Sequence, residues 1–251
     1  MAGHSKWANI KHRKGAQDAR RSKIFTKIIK ELTVAARMGG GDPNANPRLR
    51  AAILNARDQN MPNDNITRAI KKGTGELEGV QFEEVTYEGY GPSGVAVMVK
   101  ALTDNKNRTT SEIRYVFAKN GGALGESGCV NWMFQRKGVV TLGKGAADEN
   151  KLMETVLDFE VEDIDSHGEV ITITTALDAL EPVRAVLEKA GIAVKGAKVE
   201  FVPQNNIMLT GEDAKSILRL LEALEDHDDV QEVVSNFDVD DRELDTIMKD
   251  G

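Results

Sequence analysis

Apolar residues recur with a helical period from about residue 17 to residue 75, after an arm with little periodicity, and with a period of two after about residue 80. At about 100° per residue, Ile24, Phe25, Ile28, Ile29, Leu32, Ala35 and Ala36 share one broad face of a helix predicted over 17–38. Arg20, Lys23, Lys27, Lys30 and Arg37 fall on the opposite face, with Glu31 to one side. Gly39-Gly40-Gly41-Asp42-Pro43 ends that helix. Asn46 then has the chemistry of an N-cap, with Pro47 at the first helical position. Leu49, Ala52, Ile53 and Ala56 give a second helix its inner face. After Pro62, Asn63 to Lys72 form a short third helix with Ile66 and Ile70 inward, closed by Gly73.

Gly73 to Gly79 is a linker by composition. Glu83–Tyr90 and Gly94–Leu102 then alternate as strands around the turn Gly91-Pro92-Ser93-Gly94. Asn107 is read as the cap of a helix carrying Ile113, Val116 and Phe117 and stopped by Gly121-Gly122; a strand is expected around Val130–Gln135. Six elements follow in the order βαββαβ: Val139–Leu142, Glu149–Asp158, Phe159–Ile164, Glu169–Thr175, Leu180–Ala190 and Ile192–Val202. That order is the ferredoxin-like arrangement. The tail supplies Ile207–Leu209, a helix Asp213–Glu225 and a strand Val230–Ser235, with a frayed acidic end from Asp238. A lone helix–strand tail needs a sheet to join, and the sheet over 80–135 is the obvious host.

The pattern therefore predicts a multidomain α+β protein. A basic arm, 1–16, leads into a three-helix domain, 17–75. An α+β domain follows, made of 80–137 plus 204–240, and the ferredoxin-like domain, 138–203, is inserted in it.

Charge sharpens the division. The 251 residues carry 33 Lys+Arg against 40 Asp+Glu, a net charge of −7, yet the first 75 hold 16 against 5 and the remainder 17 against 35. One end thus invites a polyanion. A nucleic acid is the favoured partner, and docking of the basic domain on its own acidic half is the alternative. No run approaches 18 apolar residues, so no membrane span or membrane partner is expected. The N-terminus lacks the apolar core of a secretory signal, and the single Cys129 suits a reducing compartment. Together these point to the cytoplasm.

In the arm, Lys6, Lys11, His12, Arg13 and Lys14 surround Trp7. A segment this charged buries too little to order itself, so it is expected to be mobile, its cations meeting phosphates and its indole stacking on a base; the alternative is an arm that folds back and plugs Trp7 into a core. The ridge Arg20, Lys23, Lys27, Lys30 and Arg37 holds five cations and no carboxylate, unlike an idle solvated face that mixes signs. It is expected to stand free and contact phosphates. Arg48, Arg50, Arg57, Arg68, Lys71 and Lys72 are expected to point outward and extend that surface. The acidic α+β domains are left for protein partners.

Candidate chemistry is sparse. No nucleophile–base order is present, no cofactor motif and no metal set are expected, and the chain is read as a non-enzyme. Cys129 is expected to be a small buried strand residue. His4 and His12 lack the neighbours of a metal site. The run Glu225-Asp226-His227-Asp228-Asp229 lacks EF-hand spacing and is read as a solvated helix end; Asp163, Asp165 and His167 are read as a polar turn. Only Thr103 to Thr109 is dense in donors at a helix N-terminus, a place that favours anions. Asn105, Lys106, Asn107 and Arg108 are thus a second candidate contact for phosphate or RNA.

Residues 1–14, Met-Ala-Gly-His-Ser-Lys-Trp-Ala-Asn-Ile-Lys-His-Arg-Lys, resemble the opening signature of the YebC/PmpR family. The resemblance continues through Asn60–Ile66, Tyr87–Pro92, Asp104–Thr109 and Asp228–Val233. It implies three domains, a helical one and two α+β domains, one inserted in the other. Members are usually described as cytoplasmic DNA-binding transcriptional regulators, while relatives, mitochondrial ones among them, are linked to translation at the ribosome. No agreed catalytic residues come with it. A lysine-rich helix contacts phosphates without reading bases, so weak sequence specificity is expected with either nucleic acid.

Overall fold

The computed structural model describes residues 18–166, 170–240, 243, 244 and 247, with the side chains of 18–21 left out of that description. Helices α1 (Asp18–Gly39), α2 (Pro47–Asp58) and α3 (Asn63–Gly73) come first. Their apolar stripes meet in one core of Ile28, Leu32, Ala35, Ala36, Leu49, Ala52, Ile53, Ala56, Met61, Ile66 and Ala69. Ile70, expected inside, packs at its edge.

Asn46 does more than cap α2. Its Oδ1 accepts from the Leu49 N–H at 3.0 Å, while its amide donates to the carbonyls of Ala35 (2.8 Å) and Gly40 (2.9 Å) at the end of α1. One buried side chain thus satisfies orphan groups of two helix ends. A methyl group at Gly73 would lie 2.3 Å from the Thr33 carbonyl oxygen, so glycine is what lets the end of α3 lie against α1.

Strands β1 (Glu83–Tyr90) and β2 (Ala96–Thr103) pair antiparallel from Glu83↔Thr103 to Tyr90↔Ala96. Helix α4 (Lys106–Lys119) leads to the short β3 (Ala123–Leu124) beside β1. Far downstream, α7 (Gly211–Glu225) precedes β9 (Val230–Ser235), which adds to β2 and completes the order β3-β1-β2-β9. One face of this sheet packs on α4 and α7 through Val97, Val99, Ile113, Phe117, Ile217, Leu221 and Val233. The other buries Ala96, Met98 and Val234 against Val130 and Phe134. Buried on both sides, β2 is almost continuously apolar. Its one lysine, Lys100, pairs with Glu232 of β9 at 2.6 Å and lies 4.2 Å from the Phe201 ring centre.

Between β3 and α7 the chain forms β4 (Phe134–Gly143), α5 (Glu149–Val156), β5 (Val161–Asp165), β6 (Val170–Thr175), α6 (Leu180–Lys189) and β7 (Val194–Pro203). The strands make an antiparallel sheet in the order β5-β6-β4-β7. Val140, Leu142, Ile171 and Ile173 pack against Leu152, Val183 and Leu187 of the two helices. Finally, β8 (Ile207–Leu209) and β10 (Phe237–Val239) form a small parallel pair.

Several expectations are corrected. The strand foreseen at Val130–Gln135 is a 3₁₀ turn, Asn131–Met133, and β4 starts only at Phe134. The physical reason is Glu88, whose buried carboxylate accepts from the N–H groups of Gly128 (2.8 Å), Val130 (2.9 Å) and Asn131 (2.8 Å). Those donors are then lost to any ladder. Because β4 runs unbroken to Gly143, the domain boundary placed at 137/138 falls inside a strand. Cys129 lies half-buried in the loop before the 3₁₀ turn rather than in a strand. Asp238 is not frayed: it lies in β10, 7% exposed. Asp163 and Asp165 belong to β5 rather than a turn, and His167 is outside the described residues.

Candidate nucleic-acid interface

The arm residues Lys6, Trp7, Lys11, His12, Arg13 and Lys14, and the side chain of Arg20, fall outside the described residues. What remains of the ridge on α1 does not stand free. Lys23 Nζ donates to the Asp226 carbonyl at 3.1 Å, and Lys27 Nζ to the Glu225 carbonyl at 2.5 Å. Lys30, only 8% exposed, donates to the Asp228 carbonyl (3.0 Å) and the Asp229 carboxylate (2.5 Å). Arg37 donates to the Phe82 carbonyl in the linker. The cause is the C-terminal end of α7, where the last carbonyls point out of the helix and gather negative potential and the acidic run adds to it.

That run does end α7 and leaves Asp226 and Asp228 exposed, but its last residue is not solvated. Asp229 is 2% exposed and ties three elements together. Its Oδ1 takes Lys30 from α1, while its Oδ2 accepts from Arg108 Nη2 (2.7 Å) and Thr109 Oγ1 (2.6 Å) on α4. Burial alone raises a carboxyl pKa. Here the hydrogen bonds from Lys30, Thr109 and Arg108 outweigh it and hold Asp229 well below the usual carboxylate range.

The donor-rich junction at 103–109 is mostly spent on the same network. Asn105, not Asn107, caps α4: its Oδ1 accepts from the Arg108 N–H at 3.1 Å, and its own N–H donates to Thr103 Oγ1 at 2.9 Å. Thr103 and Thr109 share a hydrogen bond of 2.7 Å. Arg108 also reaches Asp104 at 3.1 Å. Of the four candidates for a second contact, Lys106 and Asn107 are exposed in the first turn of α4, Asn105 is the cap and Arg108 is bound to Asp229. Sequence reading includes Asp229 in the acidic run and Thr109 in the donor-rich segment but assigns neither the role of a tie between α1 and α4. Both do lie in the two motif stretches, Asp104–Thr109 and Asp228–Val233, that the family resemblance rests on.

Lys23, Lys30 and Arg108 line a groove of about 960 Å³ between α1, α4 and the acidic loop, together with Thr26, Ser111 and Tyr115. Glu112, His227 and Asp229 bring one ligand atom each within 4.8 Å of one another there. Those atoms are already engaged: His227 Nε2 faces Glu112 at 2.9 Å, its Nδ1 accepts from the Asp229 N–H at 3.1 Å, and the Asp229 carboxylate holds its three donors. A cation would also sit beside Lys30 and Arg108. An ion-pair network accounts for the cluster.

The outward cations are on α2 and α3. Arg50 and Arg57 lie one face apart from the core, seven residues from each other, with exposed Leu54 between them. Arg50 donates to the Pro43 carbonyl at 3.0 Å, which holds it in place without neutralising it. Arg68, Lys71 and Lys72 are exposed along α3. Among the described residues, none of these five makes a salt bridge. Arg48 departs from the outward set, for it is bound by Glu31 (2.7 Å) and Glu84 (2.5 Å).

No helix among the described residues is long and apolar enough to cross a membrane. A family model described as the TACO1/YebC protein N-terminal domain matches residues 5–76, and one described as the TACO1/YebC second and third domain matches 82–237. A "probable transcriptional regulatory protein" of Thermotoga maritima is 57% identical over 249 residues, 99% of this chain and 98% of that one. One of the same description from Geobacter sulfurreducens is 53% identical over 99% of this chain and all of its own. The crystal structure of a conserved hypothetical protein from Aquifex aeolicus superimposes with a TM-score of 0.80 at 49% identity, over 89% of this chain and 93% of that one. Helices and antiparallel sheets in the order described, with one N-terminal and two further domains matched end to end, place this chain in the TACO1/YebC family.

Proposed function

We propose that this protein is a non-enzymatic, nucleic-acid-binding regulator of gene expression, acting on DNA as a transcriptional regulator, that grips phosphates through its N-terminal domain. The observation that carries this reading is the pair of exposed basic stripes, Arg50 with Arg57 on α2 and Arg68 with Lys71 and Lys72 on α3, none of them neutralised by an ion pair among the described residues. Two exposed helix surfaces on which these five cations outnumber Asp58 and Asp64 suit a polyanion's backbone rather than base edges. The names of the relatives agree in kind. The finer fold reading goes with it: the sheet β5-β6-β4-β7 with α5 and α6 on one face is a ferredoxin-like domain, inserted between β3 and β9 of the middle domain.

Crosslinking in cells, followed by sequencing of the bound nucleic acid, is the test. Recovery of promoter DNA supports the reading. Recovery of ribosomal RNA alone replaces it with a ribosome-associated translation factor using the same surface, and recovery of neither refutes both.

A further inference from the structure

The contacts that join α1 to the loop Glu225–Asp229 are polar. Three lysines meet three backbone carbonyls and two carboxylates, Asp229 at 2.5 Å and Asp226 at 3.9 Å. The N-terminal core shares no buried apolar residue with the cores of the other two sheets. The connection between them, residues 74–82, contains two glycines, and Gly75 has a φ of +83°. Val34, fully buried on the same stripe, is the apolar exception; a junction held mainly by polar contacts is one that competing charge can open.

The network is also lopsided. If Lys30 withdraws, Asp229 keeps Arg108 at 2.7 Å and Thr109 at 2.6 Å, both from its own domain. The carboxylate is then still paired, which avoids the main penalty of breaking a buried ion pair. Lys30 regains water or a new anion. Carbonyl and carboxylate oxygens present a lysine with the same kind of acceptor as a phosphate oxygen. At 1.5 Å of rise per residue, Lys23 to Lys30 spans about 10 Å, roughly the axial length of three phosphate steps on one strand of B-DNA.

We infer that the lysine ridge of α1 is a latent phosphate-backbone surface and that the loop Glu225–Asp229 is its resident competitor. The ridge engages nucleic acid only when the N-terminal domain parts from the loop. In the closed form the outward stripes on α2 and α3 make the first contact. Opening then adds Lys23, Lys27 and Lys30 to the grip. This rests on the nucleic-acid reading above.

The test uses the full chain with Cys129→Ser and a cysteine pair, Thr26→Cys with Ser111→Cys, on the two walls of the groove and outside the ridge. A short cleavable bismaleimide across the pair holds the junction shut. Binding of a fluorescein-labelled DNA duplex and of an RNA hairpin is read by anisotropy, and the separation of donor and acceptor dyes on the same two cysteines by energy transfer in the uncrosslinked protein. The expected result is binding about tenfold weaker in the crosslinked form, restored on cleavage, and about tenfold tighter in Asp226→Asn/Asp228→Asn/Asp229→Asn, as for a competent state that is a minor fraction of the free protein. Energy transfer should fall when the preferred probe is added. Equal binding by crosslinked and cleaved protein, or binding with unchanged energy transfer, overturns the inference and leaves the outward stripes as the only grip. Failure of every form to bind either probe overturns the nucleic-acid reading as well.

Discussion

The ammonium of Lys30 lies 2.5 Å from the carboxylate of Asp229, its partner 199 residues along the chain. Arg108 and Thr109 close the other side of that carboxylate. Removing the acid takes the common acceptor from Lys30, Arg108 and Thr109 at once. Asp229→Ala should therefore destabilise the protein by about 3–5 kcal/mol in urea unfolding. Lys30→Met should cost less, since Asp229 retains two donors. Equal losses would mean that the carboxylate is not the hub.

The same residue sets an acid limit. The Asp229 carboxyl titrates lower folded than unfolded, so the unfolded chain takes up the proton first. Its contribution is complete above the ordinary Asp value of about 3.9 and is lost as pH falls toward the folded value. Glu88, lowered by its three backbone donors despite its burial, acts with the same sign. Stability measured from pH 5 downward should fall in the wild type and fall less steeply in Asp229→Asn. Parallel profiles would remove Asp229 from the acid limit.

Asn46 serves two helices at once. Asn46→Asp keeps the acceptor for Leu49 but loses both donations to α1. Asn46→Ala loses all three and should cost about 1–2 kcal/mol for the cap alone, more with the orphaned carbonyls. Thermal unfolding of the three variants should rank Asn, Asp, Ala from most to least stable. An Ala variant as stable as wild type would reduce Asn46 to a surface cap.

If the α2 and α3 stripes meet phosphates, each lost cation removes a released counterion. Against a B-DNA duplex, Arg57→Ala, Arg68→Ala and Lys71→Ala should each lower the slope of log affinity against log salt by about 0.9. Arg48→Ala, already bound to Glu31 and Glu84, should leave that slope unchanged. A slope indifferent to the first three substitutions would move the grip elsewhere.

What could be read from sequence followed the range of the forces involved. The inner faces of α1 and α2 are local periodicities, and Leu32, Leu49, Ala52 and Ala56 are buried as their spacing requires. The edges Glu83–Tyr90 and Val230–Ser235 come straight from alternation and turn residues. The choice between Asn105 and Asn107 as a cap was not local, because the hydroxyls of Thr103 and Thr109 settle the backbone there. Nor was the covering of the lysine ridge, which depends on a loop about 200 residues away. One signal was present: Val34 stands four residues after Lys30, in the middle of that basic stripe, and is fully buried. An apolar side chain inside a cationic face marks a face that is covered.

Strand β4 begins with Phe134 in the small core behind the middle sheet and continues to Val140 and Leu142 in the core of the third domain. Its neighbour β7 follows it over the same length, from Gly196 opposite Thr141 to Pro203 opposite Phe134. Two adjacent strands thus act as a girder through both α+β domains. Bending between them would shear a ladder of backbone hydrogen bonds. Mechanically the molecule is then a stiff beam with one articulated end, and heat should melt the beam as a single cooperative block, separately from the three-helix end.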